Sequence, residues 1–198
     1  MKTLSIVMLS LALLAVGAGV TACERSDRVE AAREPDAAND RSNDRSTVLS
    51  ADEKDFTDYA AEMHAGEINM AQMAKQKSTN EDVKNYADEV IKGHSNALKQ
   101  LSNRTGQNRT LETTQGSLDT KYHVQYLSPL QGANFDQEFI ALMIADHKDA
   151  AETFRAQLNT AQNIALKKYL NDALPTLENG LTDAQRVREK LTATSSNK

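Results

Sequence analysis

The chain of 198 residues has no tryptophan, one cysteine, three prolines and eight glycines. Each scarcity excludes something. A single cysteine, Cys23, rules out an internal disulfide. So few glycines and prolines leave little turn chemistry for a many-stranded β fold and favour long helices. Aromatic residues make up 5% of the chain, too few for platforms that stack bases or sugars. A formal net charge of -5 argues against nucleic acid as a partner, because phosphates demand a basic face. A glycine-rich phosphate loop, a nucleophile elbow and a well-spaced pair of catalytic carboxylates are also missing, which weighs against an enzyme.

What is present begins with an export signal. Lys2 precedes an apolar run over residues 4–20. The run is short for a membrane span, which needs about 20 apolar residues, and it has the layout of a secretory leader. It ends in "VTAC", residues 20–23, which resembles a bacterial lipoprotein box. That resemblance implies cleavage after residue 22, acylation of Cys23 and attachment to the membrane through the lipid. Residues 24–50 are rich in Arg, Asp, Asn, Ser and Ala with almost nothing apolar to bury. They read as a disordered tether, on the order of 30 Å end to end as a flexible coil.

The remainder reads as helices. "SADE", residues 50–53, fits a capping box and opens a first helix to about Gln76. "STNE", residues 78–81, repeats the signature before a second helix to about Arg104, and "NFDQ", residues 134–137, opens a third to about Asn159. A fourth starts near Asn163 and runs towards Thr192, with a kink expected at Pro175. Short connections make the first and second, and the third and fourth, antiparallel hairpins. About 30 residues between the second and third allow a crossover along the bundle, with a short helix around residues 117–126. The helical domain is thus 51–192, followed by a tail over 193–198.

Helical phase points to the site. Val83, Ala87, Val90, His94, Ala97 and Leu101 form one core stripe, and Ile140, Met143, His147, Ala150 and Phe154 another. A third, Phe56, Ala60, Met63, Glu67, Met70 and Ala74, carries a carboxylate in its middle. The stretches "YADEVIKGHSNALKQL" and "FIALMIADHKDAAETF" also align, so that Tyr86 matches Phe139 and His94 matches His147. Buried polar groups are costly unless partnered, so Glu67, His94 and His147 are expected to meet. They would do so either as a hydrogen-bonded cluster that sets helix register or as ligands of a single transition-metal ion (Zn, Fe or Cu), a donor set of two imidazoles and a carboxylate. Met63, Met70 and Met73 with His64 form a weaker, methionine-rich copper candidate. His123 reads as an exposed loop histidine, and Asp146 and Asp149 as facing solvent or a helix edge.

"LQGANFDQEFIALMIADHKDAAETF", "GEINMAQMA", "DEVIKGHSNALKQL" and "ALPTL" together resemble a bacterial envelope family, domain of unknown function number four-one-four-two, over about residues 51–190. The resemblance implies an all-α, ferritin-like four-helix bundle and no established activity. The di-iron constellation of ferritin-like proteins needs E-x-x-H pairs, and this chain has none. Members often carry a histidine shortly after "LPTL", where this chain has Gly180; that argues against ligands from all four helices. The expectation is therefore a membrane-tethered envelope lipoprotein on the periplasmic side, at the outer membrane, acting as a non-catalytic binding or structural bundle. The alternative is a metal-binding redox or storage protein.

Overall fold

The computed structural model describes residues 47–111, 114 and 118–196. The expected leader, Cys23 and the tether up to residue 46 lie outside the described residues. Among these there are five helices and no strand: α1 (Ala51–Lys77), α2 (Glu81–Thr105), α3 (Leu118–Leu127), α4 (Gly132–Thr160) and α5 (Ile164–Ser196). The protein is all-α, and none of the described helices is long and apolar enough to cross a membrane.

The helix starts follow cap chemistry, with two corrections to the expected boundaries. At α1 the capping box forms: Glu53 N–H donates to Ser50 Oγ at 3.2 Å, and Ser50 N–H donates to Glu53 Oε2 at 2.9 Å. At α2 the cap is Asn80, not Ser78; Asn80 Oδ1 accepts from the N–H groups of Asp82 and Val83. Ser78 instead ends α1, its N–H donating to Ala74 O. An Asn directly before the acidic first turn is as good a cap as Ser and stands closer to the first residue that can turn. α4 begins earlier than "NFDQ" implies. Its cap position is Gln131, without a side-chain bond, so Asn134 lies inside the helix. At α5, Asn163 Oδ1 accepts from Leu166 N–H at 2.9 Å. Gly106, at φ 69°, closes α2 in the left-handed region that glycine enters without a Cβ clash.

The long helices pack side by side as a helical bundle. α1 lies against α2 and α4, and α5 lies against the same two, which leaves α1/α5 and α2/α4 as the diagonals. Three-residue connections fold α1 on α2 and α4 on α5 as antiparallel hairpins. The diagonal α2/α4 is parallel and in register. Tyr86 stacks edge-on near Phe139 with ring centroids 6.1 Å apart, and His94 near His147 at 5.2 Å, and both pairs are separated by the same 53 residues in sequence. In an antiparallel pair that separation would change along the helices.

Two polar clamps fix this register. Glu53 Oε1 accepts from Gln162 N–H at 2.7 Å and Asn163 N–H at 2.8 Å, which ties the α4–α5 turn to the start of α1. Burial alone would raise its pKa, but the backbone N–H groups of Asn163, Ser50 and Gln162 outweigh that and hold the carboxyl below its ordinary value. At the other end Lys77 Nζ donates to the carbonyls of Leu127 and Ser128 and sits 5.2 Å above the Phe135 ring, anchoring the crossover. Pro175 lies inside α5, so the carbonyl one turn earlier loses its usual donor. Glu53→Ala strands the N–H groups at the α4–α5 turn and is expected to cost roughly 2–4 kcal/mol in urea denaturation at neutral pH. A loss no larger than that of Ser50→Ala, about 1 kcal/mol, would show that the carboxylate does not hold the turn.

Candidate metal centre

The core is divided. One apolar cluster gathers Phe56, Leu101, Phe154, Leu166, Leu170 and Leu177; the other gathers Met70, Val83, Phe135, Phe139, Ile140 and Met143. His64, Glu67, His94 and His147, none more than 2% exposed, sit on the stretches of helix between them. α1 supplies His64 and Glu67, α2 His94 and α4 His147. The mid-helix positions on the diagonal pair and on α1 therefore converge on the bundle axis.

Glu67 Oε2 lies 3.2 Å from His94 Nε2 and 3.5 Å from His147 Nδ1. These short distances do not amount to a hydrogen-bonded cluster: both Glu67 oxygens, His94 Nε2 and His147 Nε2 lack an aligned hydrogen-bond partner. The outer ring nitrogens are occupied instead. His147 Nδ1 lies 2.9 Å from Met143 O, and a carbonyl only accepts, so Nδ1 carries the proton and the lone pair is on Nε2. His94 Nδ1 meets His64 Nδ1 at 3.1 Å, and His64 Nε2 meets the Tyr169 hydroxyl at 2.6 Å. Two proton assignments satisfy this chain. In one, Tyr169 donates to His64, which donates to His94, leaving an N–H on His94 Nε2. In the other every donor reverses, and His94 Nε2 presents a lone pair towards Glu67. The second assignment gives both His94 and His147 the arrangement of metal-ligating histidines, with the far N–H held by a partner that fixes the ring. One ligand atom each from Glu67, His94 and His147 lies within 4.8 Å of the others.

The charges are those of a buried site. Burial holds His64 down at about 3, with His147 adding to the effect. His94 is held well below the ordinary histidine value by burial and then by its neighbours His64 and His147. Burial also lowers His147 to about 4, against the contrary pull of the Met143 carbonyl. Burial, followed by the charge of Asp146, pushes Glu67 well above the usual carboxylate range.

Gly180 on α5 borders the site. A Cβ there would stand 2.2 Å from His147 Nε2, so a helix interior that would gain about 1 kcal/mol from alanine holds glycine to make room for the imidazole. The other sequence candidates part from the cluster. Met63 and Met70 belong to opposite apolar clusters, and Met73 packs half-buried on the second, so they form no joint methionine patch. His123 is on α3, not in a loop, and is half-buried with Nδ1 3.2 Å from Asp146 Oδ2; Asp146 therefore faces α3, while Asp149 is exposed. Two residues of the site are not placed in it by the sequence: His64, read there only with the methionines, and Tyr169. His64 lies off the single stripe assigned to the first helix, yet "AAEMHAGEI" is small or apolar nearly all round, a sign of a helix buried on several sides. Tyr169 on α5 carries no polar signal that separates it from an ordinary core aromatic.

Fold and site together define a class: an all-helical bundle with a carboxylate and imidazoles gathered in mid-core. The profile of the domain of unknown function DUF4142 matches residues 38–187, so the chain belongs to that family. Among solved structures the fold is similar to "CopM in the Cu(II)-bound form", at 20% identity and a TM-score of 0.55, over 68% of this chain and 94% of that one. No curated protein matches the chain.

The neutral cluster sets a pH dependence. The histidines have folded pKa values below the unfolded 6.5, so the unfolded chain binds more protons as pH falls through 6.5, and folding weakens until each folded value is passed. Glu67, raised when folded, acts oppositely above its unfolded value of about 4.5. Three histidines against one carboxyl leave about two net protons. Stability in urea is expected to fall between pH 6.5 and 4.5 by on the order of 3 kcal/mol per pH unit. A flat profile over that window would mean that the rings are charged in the folded protein.

Proposed function

We propose that this protein is an exported, lipid-anchored bundle of the cell envelope that binds one transition-metal ion in its core through Glu67, His94 and His147. The observation that carries the reading is that Glu67, His94 and His147, all buried, each bring one ligand atom within 4.8 Å of the others, while both Glu67 oxygens, His94 Nε2 and His147 Nε2 lack aligned hydrogen bonds. A purely structural Glu–His cluster would satisfy these atoms among themselves. Ligands at about 2.0 Å around a tetrahedral ion stand roughly 3.3 Å apart; the 3.2 Å between Glu67 Oε2 and His94 Nε2 fits that spacing, and the His147 ring lies beside the same oxygen. Two imidazoles and a carboxylate suit Cu(II), Zn(II) or Fe(II). The similar fold of CopM, solved with Cu(II), supports a bundle of this shape holding such an ion.

The finer architecture belongs to the same proposal: a ferritin-like four-helix bundle with α3 riding the crossover and α5 kinked at Pro175. So does the location. The basic start, short apolar run and Cys23 at its end support a leader over 1–22, acylation of Cys23 and a tether that stands the bundle off the outer membrane on its periplasmic side. The membrane is the partner this chemistry names. No catalytic residue is assigned.

Mature protein purified in detergent and stripped of metal is expected to take up one Cu(II) per chain, copper being the strongest divalent probe for such donors. His94→Ala and His147→Ala should each weaken uptake at least about 100-fold. Wild-type affinity in both variants would sink the core site. In cells, Cys23→Ser should leave the protein unanchored or with its leader attached; unchanged mass and unchanged membrane partition would rule out the lipid anchor.

A further inference from the structure

A cleft of about 310 Å3 lies between α2 and α5. Its rim carries exposed residues such as Glu89 and Asn179, and its floor is formed by His94, His147 and Tyr86, all buried. That is more than enough to admit water. Gly180 keeps the inner end of the cleft open, since a side chain there would run into His147 Nε2. Tyr86 stands in the same cleft with its ring centroid 6.5 Å from that of His147, and its hydroxyl is buried without a hydrogen-bond partner.

A closed metal site needs a fourth protein ligand, whereas a site with three protein ligands keeps a position for an outside donor. His64 is adjacent, but both its ring nitrogens are engaged, one by His94 and the other by Tyr169. The Tyr86 hydroxyl lies buried in the same cleft without a partner, and a phenol so placed is suited to hydrogen-bonding a small ligand.

We propose that the core site is open: a small exchangeable donor, water or a small anion, reaches the ion through the cleft between α2 and α5, and the Tyr86 hydroxyl donates a hydrogen bond to it. This rests on the metal-binding reading. Azide is the probe. Mature wild-type protein loaded with Cu(II) should show a saturable azide-to-copper absorption band, with one azide per copper, and a matching change in the electron paramagnetic resonance spectrum. Tyr86→Phe should keep the copper stoichiometry and weaken azide binding at least about 10-fold, the effect of one hydrogen bond to an anion. Copper bound without any response to azide would overturn the open site while leaving the metal reading standing. Equal azide affinity in Tyr86→Phe would overturn the role of Tyr86. Failure of the wild type to bind copper at all would overturn both readings, and the copper stoichiometry registers that outcome separately.

Discussion

One constraint governs this bundle: a carboxyl group and three imidazoles are buried together between two apolar clusters. Charged, they would face a desolvation penalty that the core cannot offset. They are therefore held neutral, Glu67 by a raised pKa and the histidines by lowered ones. Neutrality makes each ring nitrogen either a donor or an acceptor, and the Tyr169–His64–His94 chain leaves only two self-consistent choices. The arrangement of the helices serves this meeting. α2 and α4 are diagonal and in parallel register, so equivalent positions of two similar sequence segments face each other across the axis. The crossover through α3 makes parallel running possible, because a short connection would have forced the two helices antiparallel.

Register is held at the ends and used in the middle. Glu53 binds the α4–α5 turn to the first turn of α1, and Lys77 binds the last turn of α1 to the crossover. A slip of one residue in α2 rotates its side chains by about 100° and takes His94 off the axis. The surface ion pairs Arg104–Asp172 and Arg155–Glu178 are exposed and contribute little to this choice.

How much of this could be read from the chain depends on whether the signal is periodic or three-dimensional. The 3–4 spacing of apolar residues carries helix identity and phase, so the buried stripes of α1, α2 and α4 and the inward placement of Glu67, His94 and His147 were legible. The copy of the α2 pattern in α4 even carried their common depth. Caps were less legible where two good capping residues compete: Ser78 and Asn80 stand two apart, and only the path of the chain decides which one faces the free N–H groups of α2. α4 starts at Gly132 with no side-chain cap, so no local signal marks its start. His64 and Tyr169 were hidden because a second buried face of α1 and the pairing of two distant side chains, 105 residues apart, are properties of the packed bundle. Gly180 stands out in the sequence where related chains often carry histidine, but the atom that requires it, His147 Nε2, is on another helix.

The energetics favour reading this cluster as more than a packing device. A buried polar atom without a partner costs about 1–3 kcal/mol, and both Glu67 oxygens, His94 Nε2 and His147 Nε2 are in that condition. Each such cost is a sizeable part of the 5–15 kcal/mol by which a domain is stable. Leu or Met at the same positions would extend the two apolar clusters into one and remove them. Gly180 adds a further cost of about 1 kcal/mol in helix propensity, and it does so for the sake of a nitrogen that makes no hydrogen bond within the bundle. A hydrogen-bonded register key would need neither the orphaned lone pairs nor the glycine. A cation with affinity for imidazole and carboxylate would give a partner to one ligand atom each of Glu67, His94 and His147, which is the ground on which the proposed site rests.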